Sequence, residues 1–301
     1  MNSAKNFTYP SNTLIVTSSG AKSRGWIDYL PIENYDLFDQ VESNPSMDTI
    51  EKILSTKSDE YSFVIGIGGG SSLDVAKYVS FKMNIPKILI PTTFGSGSEV
   101  TRISVLKIDG VKKSFHDDKL LADIAIVDPF FLNSLSQNIL KNSAIDACAQ
   151  CTEAFDSKIS NIYTKFLCMK AFEILEDALL SKNYENLAYG SMLSGLGFGN
   201  SSTTLGHALS YVFSNEGYSH GHALAFTTTV AHHFNNSQFY ERFKKLVEIL
   251  SFESIHLAQN LDDAAKLIQT DRKHLDNNPI PVSDKDIVQL LEKINSQKVF
   301  R

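Results

Sequence analysis

Gly66-Ile67-Gly68-Gly69-Gly70-Ser71-Ser72 is the stretch that decides the fold of this chain. The apolar run 63–67 (FVIGI) leads into it, and residues 72–83 leave it with helical spacing at Leu73, Ala76, Val79 and Phe81. A buried strand, a glycine turn and a helix together form a place for a diphosphate. Glycines admit the ligand close to the backbone, and the unpaired N–H groups of a helix start bind anions. The turn is not the G-x-G-x-x-G fingerprint, because Ser71 stands at the third glycine and no acidic residue follows about 20 positions on. It is not a P-loop either, since no Gly-Lys-Ser/Thr occurs. Alone, it fits a tight turn without a ligand equally well. A second small-residue loop, Pro91-Thr92-Thr93-Phe94-Gly95-Ser96-Gly97-Ser98-Glu99, follows the next apolar run 87–90 (KILI). In a parallel sheet both loops lie at the carboxyl edge, where ligands bind, and the pair favours a phosphate-bearing cofactor.

Outward from this turn, strands are expected at 13–17 (TLIVT), 103–108 and 124–127, and a helix at 47–55 with Ser46 as its cap. Alternation of strands and helices implies βαβ units and a parallel sheet. Beyond residue 133 the pattern is helical throughout: 143–155, 163–180, 187–199, 203–213, 222–234, 238–250 and 284–295, the last capped by Ser283. The stretch between Leu250 and Asn277 is expected to lack a helix. The fold class is therefore α/β followed by all-α, with residues 1–135 as a dinucleotide-binding domain and 136–301 as a helical metal and substrate domain.

A length of 301 residues suits two domains, and 43% apolar with 21% charged residues is ordinary globular composition. The formal net charge of −6 argues against a nucleic-acid partner. Three cysteines, Cys148, Cys151 and Cys168, do not form a disulfide framework and fit a reducing cytoplasm. The C-x-x-C at 148–151 reads as two buried small residues, because no second pair exists to complete a zinc site. No signal pattern opens the chain and no window approaches the roughly 18 apolar residues of a membrane span, so a cytoplasmic location without membrane contact is expected.

Asp146 and Gln150 are four apart on an expected helix and share a face that Glu153 continues. His207 falls on another helix, and His220 in the turn Ser219-His220-Gly221-His222. A carboxylate with two imidazoles suits Fe²⁺ or Zn²⁺. By spacing alone, Asp146 reads as well as a surface carboxylate and His207 as a hydrogen-bonded core histidine. His222, His232 and His233 read as structural or rim residues.

Taken in order, Gly68-Gly69-Gly70-Ser71-x-x-Asp74-x-x-Lys77, the loop Pro91 to Glu99, Ala125-Ile126-Val127-Asp128-Pro129, Asp146-Ala147, His207-Ala208-Leu209-Ser210-Tyr211 and His220-Gly221-His222-Ala223 resemble the iron-containing alcohol dehydrogenases. That family shares the dehydroquinate synthase-like fold. The likeness spans nearly the whole chain, with Asn277-Asn278-Pro279 similar to the family's closing motif. It implies dinucleotide contacts at Gly68, Gly69, Gly70, Ser71 and Asp74, with Thr92, Thr93 and Ser98 along the same cofactor. It implies metal ligation by Asp146, His207 and His220. It also implies metal-assisted hydride transfer, with Tyr211 and His222 beside the proton path.

Three positions depart from the family pattern. Gln150 stands where many members carry a fourth ligand histidine, and Tyr211 where many carry another histidine. Ser18 replaces a common aspartate after the first strand, which removes a repulsion against a 2′-phosphate and favours NADP over NAD, with Lys22 or Arg24 as phosphate partners. The run 108–114, with Asp146, Gln150 and Tyr211, resembles the phosphonoacetaldehyde reductases. For an anionic substrate the chain offers Arg102, Lys112, Lys113 and His116. The expected partners are a small aldehyde or alcohol, with a homodimer left open. Two alternatives stand beside this reading: a metal-dependent lyase like dehydroquinate synthase, and a degenerate non-catalytic copy.

Overall fold

The computed structural model describes residues 2–56 and 61–296. The chain divides into two compact units, Met1–Ser136 and Gln137–Arg301.

The first unit runs β1 (Thr13–Val16), the single turn α1 (Trp26–Tyr29), β2 (Tyr35–Phe38), α2 (Met47–Thr56), β3 (Phe63–Gly68), α3 (Gly70–Met83), β4 (Lys87–Pro91), β5 (Ile103–Ile108), β6 (Val111–His116) and β7 (Ile124–Ala125). Five strands form a parallel sheet in the order β2-β1-β3-β4-β7. β1, β3 and β4 are buried almost throughout, as expected for strands covered on both faces. α3 lies close on β3: a Cβ on Gly66 would meet Ala76 Cβ at 2.6 Å. Ile50 and Ile53 of α2 join Leu73, Val75, Ala76 and Val79 of α3 in a core beneath Leu14, Val16, Val64 and Leu89. β1 has β2 on one flank and β3 on the other, so the chain leaves the carboxyl ends of β1 and β3 in opposite directions. In an open α/β sheet that switch point is the ligand crevice.

Two strand expectations change. The strand at 103–108 is present but leaves the parallel sheet, pairing antiparallel with β6 as a separate hairpin. The reason is the two-residue turn Asp109-Gly110, both with positive φ (50° and 79°), which matches the twist of a tight hairpin. The strand at 124–127 shortens to two residues, because Asp128 caps the 3₁₀ turn Pro129–Ser134 by accepting from Phe130 N–H. β2 is a half-exposed edge strand without an apolar run, so no periodic signal marks it in the sequence.

The second unit is helical among its described residues: α4 (Gln137–Asp156), α5 (Ile162–Ser181), α6 (Glu185–Phe198), α7 (Leu205–Asn215), α8 (His220–Phe234), α9 (Tyr240–Leu250), α10 (Leu261–Gln269), α11 (Arg272–Asn277) and α12 (Asp284–Asn295). α4 runs through the middle. Ala144, Ala147, Ala149, Ala154 and the free thiols Cys148 and Cys151 are buried on it, and these small side chains let α5, α6 and α8 close around it. The two cysteines are thus core residues. A capping box at Ser283–Asp286 starts α12.

The stretch between Leu250 and Asn277 does not lack a helix; it holds α10 and α11. Asn260 caps α10 by accepting from the N–H groups of Asp262 and Asp263, and Ala264, Ala265 and Ile268 form its buried face. That stripe is short and alanine-rich, so its period is weak in sequence. Among the described residues no helix is long and apolar enough to cross a membrane.

Candidate functional site

At the carboxyl edge of the first unit's sheet, β3 ends on Gly68 at φ 152°, a conformation that side chains disfavour. A Cβ there would also meet Ser72 Cβ at 2.7 Å. Gly69 caps α3 with extended backbone and no side-chain bond, so the first N–H groups of a 14-residue helix have no cap from that residue. The first turn holds no acidic residue. A Cβ on Gly70 would meet Ser96 Oγ at 2.9 Å, and one on Gly69 would meet Thr93 Oγ1 at 3.1 Å, so the two small-residue loops face each other. Thr92 Oγ1 is buried with no hydrogen-bond partner among the described residues. A glycine cradle, a helix start and an orphaned hydroxyl fit the diphosphate of a dinucleotide. Ser18 lies two residues past β1, at the switch point, and Thr17 Oγ1 ties that end of β1 to the Ile67 carbonyl (2.6 Å).

Asp74, four residues into α3 from Gly70, and Ser98 of the second small-residue loop are joined to each other. Asp74 Oδ1 accepts from Ser98 Oγ (2.6 Å) and lies 3.2 Å from Lys77 Nζ; Oδ2 accepts from Val105 N–H (2.9 Å). Lys77, fully buried, also donates to the carbonyls of Ser98 and Ile103. Burial pushes the Lys77 amine below its ordinary range, against the pull of Asp74. Nearby, burial pushes Glu99 up to about 7. Ser71 and Asp74 line a cleft with Asn44, Lys107 and Lys112. The other cations named from sequence are engaged or exposed. Arg24 packs over the Trp26 ring, Arg102 pairs with Asp118 (2.9 Å), and Lys22 and Lys113 are exposed.

In the second unit the structure brings Asp146, His207 and His220 together, their ligand atoms all within 4.8 Å of one another. Asp146 Oδ1 is 4.0 Å from His207 Nε2 and 3.9 Å from His220 Nε2. His220 is not in a turn; it is the first residue of α8. Gln150, one turn along α4, donates from Nε2 to Asp146 Oδ1 (3.0 Å), and its buried Oε1 has no partner among the described residues. Burial pushes the Asp146 carboxyl up to about 8, opposed by that amide bond. Three converging donors of carboxylate and imidazole type, with an orphaned amide oxygen beside them, fit a divalent cation.

Tyr211 is 37% exposed, its ring 6.0 Å from that of His274. Partial burial and the charges of Asp271, Glu153 and Asp146 hold its phenol above the ordinary range. His222 is not brought into the ligand cluster. Its Nε2 contacts the Glu253 carbonyl (2.6 Å), and its ring packs against Tyr218 and Phe252. Two further groups received no role from sequence. Glu153 bonds His207 Nδ1, a place readable from its position seven residues after Asp146. His274 lies with its ring 6.3 Å from that of His207 and its Nδ1 on Asp271 Oδ2 (2.6 Å). No spacing in the sequence points to it.

Residues 2–129 match the family described as "Iron-containing alcohol dehydrogenase", and residues 141–270 match "Fe-containing alcohol dehydrogenase family, C-terminal". The 4-hydroxybutyrate dehydrogenase of Clostridium kluyveri is 30% identical over 83% of this chain and 83% of its own length.

The chain belongs to the iron-containing alcohol dehydrogenase family.

Another relative, the sulfoacetaldehyde reductase of Bilophila wadsworthia, is 30% identical over 72% of this chain and 64% of that protein. The chain spans from 59% to 83% of the lengths of the first curated relatives it matches. The structure of sulfoacetaldehyde reductase from Bifidobacterium kashiwanohense in complex with NAD⁺ superposes with a TM-score of 0.85 at 22% identity, covering 95% of this chain and 91% of that one. The parallel sheet followed by a helical unit is thus the fold of the iron-containing alcohol dehydrogenases.

Proposed function

We propose that the chain is a metal-dependent, NAD(P)H-linked reductase of a small aldehyde with an anionic head group, with phosphonoacetaldehyde, reduced to 2-hydroxyethylphosphonate, as the specific substrate. The observation that carries the reading is the convergence of Asp146, His207 and His220 on one point beside the unpartnered Gln150 oxygen. When bound, a divalent metal supplies Lewis-acid polarisation of the carbonyl and a reduced nicotinamide supplies the hydride.

The chain's own residues bind and orient. Gly69, Gly70 and Ser71 present the α3 amides to the diphosphate, with Thr92 and Thr93 alongside. Ser18 brings no charge to the ribose 2′ position, which favours NADP over NAD. Asp146, His207 and His220 hold the metal, with the Gln150 amide oxygen as a weaker fourth donor. Tyr211 forms a wall rather than the acid, since its phenol keeps its proton at neutral pH. The first unit serves as the dinucleotide domain and the second as the metal and substrate domain. Relatives named sulfoacetaldehyde reductase support an aldehyde next to a tetrahedral anion.

The test is a spectrophotometric screen of NADPH and NADH oxidation by the Fe²⁺- or Zn²⁺-loaded chain. The panel holds acetaldehyde, butyraldehyde, sulfoacetaldehyde and phosphonoacetaldehyde. Faster turnover of phosphonoacetaldehyde with NADPH is expected. Equal rates on the simple alkyl aldehydes would remove the anionic head group from the reading, and no oxidation with any aldehyde would remove the reductase itself.

A further inference from the structure

Glu153 is 1% exposed, and its carboxylate is bonded to His207. It lies on the face of α4 that carries Asp146 and Gln150, at i+7 and i+3. Its oxygens are fully used. Oε2 bonds His207 Nδ1, and Oε1 accepts from Thr204 Oγ1 (3.1 Å) and from Gly206 N–H. Thr204, the residue preceding α7, makes no side-chain cap of its own, so the buried carboxylate takes the free amides at the start of that helix. A Cβ on Gly206 would lie 2.6 Å from Glu153 Oε1, so glycine is what lets the carboxylate reach this place.

We propose that Glu153 is a positioning residue of the metal centre: by accepting from His207 Nδ1–H while capping α7, it fixes the His207 tautomer with the Nε2 lone pair facing Asp146 and His220. The inference rests on the metal reading above. An imidazole has one lone pair to give, and the hydrogen bond at one nitrogen decides which nitrogen gives it. For His207 Nε2, the atom facing Asp146 Oδ1, to give its lone pair to a cation, Nδ1 must carry the proton, and the only acceptor bonded to Nδ1 among the described residues is Glu153. The same carboxylate links the helix bearing Asp146 to the helix bearing His207, so the ligand set is assembled before a cation arrives. Loss of such an outer partner typically weakens metal binding 10–100-fold.

The test uses Co²⁺ alone as the probe of the full chain. Affinity is measured by chelator competition with visible absorption as the geometric signature, and the melting temperature of the metal-free protein reports the fold. Glu153→Gln keeps an oxygen for the α7 amides but replaces the acceptor of the Nδ1 proton. Co²⁺ affinity is expected to fall about 10–100-fold, with an altered visible spectrum and a small change in melting temperature. Unchanged affinity and spectrum with a lowered melting temperature would overturn the proposal and leave Glu153 as a helix cap only. Should Glu153→Gln not fold, Glu153→Asp carries the same test, since it keeps the charge and withdraws it from Nδ1. Parental affinity in that variant overturns the proposal as well. A parent chain that binds no Co²⁺ brings down the metal reading and this inference together, an outcome distinct from a parent that binds and a variant that binds equally.

Discussion

Each unit buries a polar cluster, and the two clusters are finished differently. In the first unit Asp74, Lys77 and Ser98 close on one another and on the backbone of β5. Every oxygen of Asp74 has a donor, and Lys77 has carbonyls and a carboxylate. In the second unit Asp146 faces two imidazoles from 3.9–4.0 Å, beyond hydrogen-bond reach, and Gln150 Oε1 has no partner among the described residues. Buried polar groups are costly unless satisfied. A closed cluster is therefore a structural fastening, and an open one marks where a ligand completes the bonding. Asp74 and Ser98, which the resemblance makes cofactor contacts, bond each other here, and Asp74 lines a cleft with Ser71 of the glycine cradle.

The two clusters differ most at Asp146. Asp146→Ala removes the carboxyl ligand, and NADPH-linked turnover is expected to fall to background with loss of bound metal by elemental analysis. Retained turnover would mean the open cluster is not a metal site. In the closed cluster, Lys77→Met leaves Asp74 buried without its cation. A loss of about 3–5 kcal/mol in urea unfolding is expected, and a loss under about 1 kcal/mol would show that the cluster behaves like a surface pair.

Acidity sharpens the open cluster. Asp146 keeps its proton up to about pH 8, and that proton must leave before a cation binds. Co²⁺ affinity should therefore rise roughly tenfold per pH unit up to about 8 and then level off, as read by titration calorimetry in two buffers. The metal-free chain is expected to show the opposite trend in stability. Its raised carboxyl contributes stability that is full below the ordinary carboxylate range and is lost as pH rises through about 8. A flat affinity between pH 6 and 8 would contradict the upward push on the Asp146 carboxyl. A smaller effect is expected at the cradle. Gly70→Ala places a methyl against Ser96 and should weaken NADPH about tenfold by fluorescence titration, with Co²⁺ affinity unchanged. The smallest effect is a gain: Gln150→His supplies an imidazole at the orphaned position and should tighten Co²⁺ by roughly three- to tenfold.

Several of these features could be read in the sequence because they are local. Strand β3, its glycine turn and α3 follow from an apolar run, φ-permissive residues and helical spacing in adjacent residues. The Asp109-Gly110 hairpin was equally local, and its turn dipeptide was the signal for a strand that leaves the sheet. β2 and α10 gave weak signals, one being a half-exposed edge and the other a short stripe of alanines.

The site divides in the same way. Residue types are legible in the chain alone, and the resemblance supplies the grouping of Asp146, His207 and His220. Helix packing brings their ligand atoms within 4.8 Å, leaves Gln150 Oε1 without a partner among the described residues, and sets Glu153 rather than solvent on His207 Nδ1. It also placed His274 beside His207, 67 positions along the chain. The physical reason is range. Periodicity reports which face of one helix a residue occupies, whereas the bonding of a buried polar atom depends on which other helices pack against that face.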